Sequence, residues 1–271
     1  MVTQPALDFH GIAGDFLNKT MQIVQAALST GSSDYVDGIL RHPMRVRGHM
    51  IRPFLAYTTA MAVDPAPDAR RMAQLEHFAA AIELLHNASL IHDDVLDEET
   101  TRRGARCLHT VYGEKNAILA GNIYYIKAIE LAARHAGGQT LRLLETAVLM
   151  CEGEILQQQH MGSELDDAVY FGIIRRKTAS LTAAVARGAA EIAGADAAMA
   201  QRMELLGECV GLVYQLQDDQ KDGDVLLRAD FDFRGQIATL KEQIAGLLDS
   251  LPPSDFVACF DGFIKTLGGA A

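Results

Sequence analysis

The chain is predicted to be all-α, and three observations carry that expectation. No proline occurs between Pro67 and Pro252. Proline costs about 3 kcal/mol inside a helix and favours the turns that connect strands. The proline-free stretch is rich in Ala, Leu, Ile, Glu and Gln, which lose little on entering a helix. Its apolar residues recur at three-and-four spacing: Leu75, Phe78, Ala79, Ile82, Leu85 and Ala88 fall on one face of a 3.6-residue helix.

The elements follow in order. MAQLEHFAAAIELLHNASLIHDDVLD is a long helix entered from the proline-rich connector VDPAPD. AILAGNIYYIKAIELAARHA, LRLLETAVLMCEGEILQQQH, KTASLTAAVARGAAEIA and MELLGECVGLVYQLQDD repeat the helical period. The breaks ETTRRGAR, HAGGQ, AGADA and KDGD between them are short. No internal repeat or low-complexity linker interrupts the pattern. One all-α domain over residues 1–271 is the economical expectation.

Composition narrows the function. Of 271 residues, 49 % are hydrophobic and 22 % charged, enough apolar material for a sizeable core and too much for a disordered chain. The formal net charge of -11 excludes sequence-independent nucleic-acid binding, which needs a basic footprint. An anionic ligand therefore requires a local basic cluster or a bound cation. Cys107, Cys151, Cys209 and Cys259 are widely spaced and read as reduced, mostly buried thiols of a cytosolic protein. The first residues carry acids where a signal peptide has its basic region. Apolar runs are broken by polar residues well before the ~20 needed to span a membrane, so a cytoplasmic location is expected.

Two acidic segments stand out. HDDVLD holds Asp93, Asp94 and Asp97; QDDQKD holds Asp218, Asp219 and Asp222. In each DDxxD the outer aspartates are four residues apart, so their carboxylates share a helix face, where like charges repel. A hard divalent ion relieves that repulsion. Mg²⁺ takes oxygen ligands and is usually held by one or two carboxylates plus substrate phosphates. The alternative is a solvated helix end, but both clusters are entered from apolar helix. The segment ETTRRGAR follows the first cluster; its guanidinium groups suit bidentate phosphate binding, and Gly104 is expected to let the turn approach closely.

With those residues in view, the chain resembles the trans-isoprenyl diphosphate synthases. LLHNASLIHDDVLDEETTRRG is similar to their first aspartate-rich motif and YQLQDDQKD to their second. AILAGN, CEGEILQQ and RKTASL match the family in order and spacing, and the likeness runs from about Gly48 to Asp224. The resemblance implies a single-domain isoprenoid-synthase-type bundle around a central cavity, working as a homodimer. It also implies a Mg²⁺-dependent prenyl transfer in which an allylic diphosphate is condensed with isopentenyl diphosphate. Three Mg²⁺ would be held by Asp93, Asp97 and Asp218 directly, with Asp94, Asp219 and Asp222 as indirect or water-mediated partners. Arg102, Lys177 and Gln215 would contact the allylic diphosphate, with Thr178 beside the nascent cation. Arg52, His86 and Arg103, with His49, would hold isopentenyl diphosphate.

The sequence departs from the family in three places. The usual GGKRLRP is RGHMIRP here, so His49 replaces a lysine and Met50 an arginine. LAGD becomes LAGN, ending in Asn122. After Asp224 the chain passes almost directly to what reads as terminal helices, without the family's Gly-Lys loop; Arg228 or Arg234 is a candidate substitute for that lysine. Ser89 and Ala88, four and five residues before the first aspartate, are small, which favours a product of C20 or longer unless Tyr124 or Tyr125 blocks the tunnel. Two alternatives stay open: an enzyme that ionises an allylic diphosphate for cyclisation or for another acceptor, and a non-catalytic subunit of a longer synthase. The Asn/Ser/Glu pattern usual at a cyclase's second motif is absent, which keeps prenyl transfer first.

Overall fold

The computed structural model describes residues 9–46, 48–222, 231–251, 256–258, 260 and 262. Asp224, Arg228, Pro252, Pro253 and Cys259 lie outside them, and of Asp222 only the backbone is described. Eleven α-helices are present among the described residues: α1 (Phe9–Ala27), α2 (Asp34–Arg41), α3 (Ile51–Val63), α4 (Ala69–Leu96), α5 (Leu108–Tyr112), α6 (Glu114–His135), α7 (Thr140–Gln159), α8 (Asp167–Ile174), α9 (Ser180–Ala193), α10 (Ala197–Asp222) and α11 (Phe233–Asp249). The all-α expectation holds, with one small addition. Thr101–Arg102 (β1) and Ala105–Arg106 (β2) pair antiparallel, Thr101 opposite Arg106.

The helix limits follow from local chemistry. Asp68, Asp166, Asp196 and Asp232 each accept a bond from a backbone N–H three residues on, at 2.8–2.9 Å, satisfying a donor that the first turn leaves unpaired. In the AGADA break, Gly194 stops α9 in the left-handed region at φ 97°, and Asp196 starts α10 two residues later.

Contacts divide the chain into two compact units. One comprises Ala13–Phe54 and Met72–Thr140. Its centre is α4, whose Leu75, Phe78, Ile82, Leu84, Leu85 and Ala88 are buried. Full burial of one such Leu or Phe is worth about 1.5–3 kcal/mol. Alanines 117, 120, 128 and 132 make the inner face of α6. At Gly121 an added Cβ would lie 2.5 Å from His92 Cδ2. His92 also bonds the Ile118 carbonyl at 3.1 Å, so this glycine lets the cluster-bearing end of α4 rest on α6. Tyr124 is fully buried and donates to the Leu40 carbonyl at 2.5 Å. It is a packing residue tied to α2, while Tyr125 is half-buried against His92.

The other unit comprises Met1–Ile12, Leu55–Arg71 and Leu141–Ala271. Helices α9 and α10 meet through small residues. A Cβ on Gly207 would be 2.8 Å from Ala186 Cβ, and one on Gly211 would be 2.6 Å from Ala179 Cα. Arg187 pairs with Glu191 at 3.0 Å and with Glu204 at 2.5 Å, and Arg142 reaches Glu191 at 2.9 Å, which ties α7, α9 and α10. Between α8 and α9 the residues Arg175–Ala179 are wound as a π-helix, the Ser180 N–H bonding the Arg175 carbonyl. Such insertions are rare and occur often at functional sites. Lys177 and Thr178 sit in it, where KTASL alone reads as uninterrupted α-helix.

Candidate active site

The first aspartate cluster ends α4. Asp97 lies one residue beyond the helix, but its N–H still bonds the Asp93 carbonyl at 2.8 Å. The two carboxylates therefore keep the four-residue relation that the sequence predicts. Asp93 is half-buried and Asp97 exposed, whereas Asp94 is only 7 % exposed and accepts from Arg102 Nε at 2.5 Å. Burial works against the charged Arg102, but the Asp94 bond overcomes it and raises the guanidinium pKa. Cys107 stands beside them in a small cavity lined also by His42, Asn87 and Arg106. Burial first, and the Asp94 carboxylate second, push its thiol up to about 12. It is an inert thiol. Cys209 is also buried, but Cys151 is exposed on α7, contrary to the expectation of mostly buried thiols only in its case.

Arg103 and Gly104 form the two-residue loop of the hairpin, both with positive φ, 52° and 77°. That combination matches the twist of paired strands. Nothing lies within 4 Å of a Cβ placed on Gly104, so this glycine serves backbone conformation rather than close approach. Close approach occurs instead at Gly48, where a Cβ would be 3.0 Å from Arg103 Cζ.

The charges of Arg103, Arg52 and Arg102 all bear on His86. Burial first, then the charges of Arg52, Arg103 and Arg102, hold the imidazole well below its usual range. The protein thus keeps His86 neutral. Unfolding restores an ordinary histidine, so the unfolded chain binds a proton that the folded one refuses. Stability from this residue is present above about pH 6.5 and is lost as pH falls toward the depressed folded pKa. Thermal melts of the wild type are expected to fall between pH 7 and 5.5 more steeply than those of His86→Gln. His49 is exposed, while Met50 is buried at φ 54°. Where the resemblance implies an arginine, this chain has turned a thioether into its core.

In the second unit, Asp218 is exposed and Asp219 is 8 % exposed. Gln215 Nε2 donates to Asp219 Oδ1 at 2.7 Å, Tyr170 OH donates to Oδ2 at 2.5 Å, and Thr178 Oγ1 donates to Gln215 Oε1 at 2.6 Å. Lys177 is not a surface lysine: its ammonium is 2.6 Å from Glu154 Oε2 and 3.1 Å from Gln157 Oε1. Arg234 is exposed at the start of α11. The sequence reading missed Tyr170, Glu154, Gln157 and the glycines. CEGEILQQ held the only available signal, since Gly153, Glu154 and Gln157 all lie in it.

Carboxylate oxygens without histidine or thiolate neighbours suit Mg²⁺ among the common ions. Among the described residues no three Asp, Glu, His or Cys side chains converge as a cage. Such an arrangement is compatible with an ion that completes its shell with water and substrate phosphate. A profile described as polyprenyl synthetase matches residues 33–224, a stretch that contains both aspartate clusters, the RRG hairpin and the π segment.

The chain belongs to the polyprenyl synthetase family.

Among its relatives is a short chain isoprenyl diphosphate synthase of Methanothermobacter thermautotrophicus. It is 34 % identical over 222 residues, covering 77 % of this chain and 66 % of that protein. A nonaprenyl diphosphate synthase of Mycobacterium tuberculosis is 31 % identical, covering 75 % of this chain and 59 % of that protein. The chain thus spans less than two thirds of the length of both. The fold is shared with a polyprenyl synthase from Caulobacter crescentus at a TM-score of 0.86 and 21 % identity, over 98 % of each chain. Among the described residues no helix is long and apolar enough to cross a membrane.

Proposed function

We propose that the chain is a trans-prenyltransferase that condenses an allylic diphosphate with isopentenyl diphosphate into a longer linear isoprenyl diphosphate. The observation that carries this reading is the pairing of two different grips on one helix. Asp93 lies in the last turn of α4 with Asp97 just past it, and two turns earlier, about 10 Å along the axis, the charges of Arg52 and Arg103 bear on His86. The carboxylates suit a metal-bound diphosphate and the guanidinium groups a diphosphate bound directly. Relatives named as short-chain and nonaprenyl synthases support the reaction class without selecting a length.

Bound Mg²⁺, three ions by the family resemblance, would supply Lewis-acid charge to the leaving diphosphate. Everything else is positioning by the protein. By the family resemblance, Asp93, Asp97 and Asp218 would hold the ions directly. Asp94 and Asp219, each enclosed and hydrogen-bonded, act indirectly: Asp94 orients Arg102, and Asp219 orients Gln215. The family resemblance, which alone pairs Lys177 with Arg102, would assign them the allylic diphosphate, and Arg52, Arg103 and His86 the other. An allylic cation forms beside Thr178, the isopentenyl double bond attacks it, and a proton is lost to the released diphosphate. Water must be kept from the cation throughout.

A second reading, transfer to a different acceptor, is favoured by exposed His49 and buried Met50, which stand where the family resemblance implies a lysine and an arginine. Product analysis by mass spectrometry separates the two. With Mg²⁺ and C5 to C20 allylic diphosphates, longer diphosphates formed only when isopentenyl diphosphate is present support elongation. Diphosphate release without elongation supports another acceptor or cyclisation.

For chain length, Ser89 is half-buried on the α4 face that carries His86 and Asp93, and Ala88 is fully buried. Ser89→Phe is therefore the cleaner test, because Phe at Ala88 would also overpack, at about 1–3 kcal/mol. A C20 or longer wild-type product is expected, shortened by Ser89→Phe and seen in the same assay. A homodimer is supported by Leu141, Leu144, Val148, Cys151 and Ile155, which are exposed at three-and-four spacing along α7. Light scattering should then give twice the 29.4 kDa chain mass.

A further inference from the structure

Tyr170 has no role in the reaction as described, yet it holds one end of a hydrogen-bond chain that reaches the reacting centre. It is 2 % exposed on α8, its ring centroid 5.3 Å from that of Phe231 and 5.6 Å from that of Phe171. Its hydroxyl donates to Asp219 Oδ2 at 2.5 Å, a separation typical of charge-assisted bonds.

The direction of every bond in the chain is fixed by chemistry. A carboxylate only accepts, so Tyr170 donates to one oxygen and the Gln215 amide N–H to the other. With its NH₂ committed to Asp219, Gln215 presents its carbonyl oxygen to Thr178, whose O–H must then donate. The Thr178 proton therefore points at Gln215, and its lone pairs point elsewhere. Were the Gln215 amide to flip, Asp219 would face an oxygen and Thr178 would lose its acceptor. Buried chains of this kind act as units, because a single unsatisfied member is costly.

We infer that Tyr170 is a positioning residue which, by holding Oδ2 of Asp219, keeps the other oxygen aimed at the Gln215 amide and so directs the lone pairs of Thr178 toward the space where an allylic cation forms. This rests on the prenyl-transfer reading for its last step, but the relay from Tyr170 to Thr178 stands independently of it. Tyr170→Phe is the decisive change because it keeps the ring against Phe231 and removes only the O–H.

Two measurements test it. In the metal-free protein, the Gln215 side-chain amide should give a dispersed, exchange-protected NMR pair that moves toward free-amide positions in Tyr170→Phe. In turnover, Tyr170→Phe should lower kcat about tenfold while leaving the KM for isopentenyl diphosphate unchanged. Combined with Thr178→Val, it should lower kcat no further than Thr178→Val alone, as coupled residues do. A merely structural Tyr170 would leave the Gln215 signals in place, or would give additive losses, and either result overturns the inference. If the wild type shows no prenyl transfer, the prenyl-transfer reading fails, and the relay is judged on the Gln215 signals alone.

Discussion

Asp93→Asn is expected to lower kcat/KM by at least ~10²-fold, about 2.7 kcal/mol of transition-state stabilisation, with little change of the melting temperature in chelator. The two halves of this expectation have one cause. Asp97, one residue past α4, still closes a helical turn on the Asp93 carbonyl, and like charges four residues apart cost a helix about 0.2–0.5 kcal/mol. Removing one charge relieves that cost when no cation is present, and gives up the attraction between Asp93 and the Arg102 guanidinium, so the two nearly offset. In a working enzyme it removes a ligand from an ion whose charge the leaving diphosphate needs. A structural carboxylate gives the opposite pattern, with stability falling and residual activity high. Steady-state kinetics paired with melts in chelator and in Mg²⁺ separate the cases. Asp94→Asn serves as the contrast, since Asp94 is enclosed and bonded to Arg102; there, stability should fall even in chelator.

Gly153→Ala is expected to lower the melting temperature by several degrees and weaken the grip on an allylic diphosphate. A Cβ at Gly153 would stand 2.8 Å from Lys177 Cα and 2.9 Å from its Cβ. The obstruction includes backbone, so α7 and the π segment would have to part. Overpacking of this kind costs about 1–3 kcal/mol, and each kcal/mol shifts the midpoint by roughly 2–4 °C for a chain of this size. The same displacement would stretch the Lys177 contacts to Glu154 and Gln157. Gly246→Ala is the control. It is an exposed mid-helix glycine with nothing within 4 Å of a new Cβ, so alanine there should stabilise by about 0.5–1 kcal/mol. Calorimetry reads both signs, and the affinity for inorganic diphosphate reads the effect on Lys177.

Much of the site was legible before any coordinates. The aspartate pairs, the RRG segment and the helix limits are local patterns, set by residue chemistry and a 3.6-residue period. Even the AGADA break read correctly, because a glycine that ends one helix and an aspartate that begins the next act on neighbouring backbone atoms. What the sequence left open was which member of a pattern faces which surroundings. Asp93 and Asp94 are identical in type and adjacent, yet one is half-buried and the other enclosed against Arg102. Ala88 and Ser89 are both small, yet Ser89 shares the face of His86 and Asp93. Tyr124 offered itself as a tunnel residue and is instead held by the Leu40 carbonyl.

By itself, then, the sequence determined the helical class and the family and put forward candidates to meet a diphosphate, because those follow from composition, period and motifs spaced along the chain. Tertiary structure alone decided the π turn at Arg175–Ala179, the placement of Gly153 and Gly211 at close helix contacts, and the Tyr170 to Thr178 relay. Each of these arises where residues 24 to 49 positions apart are pressed together. Packing at that range depends on the volume, direction and hydrogen-bonding capacity of neighbours that no local pattern names.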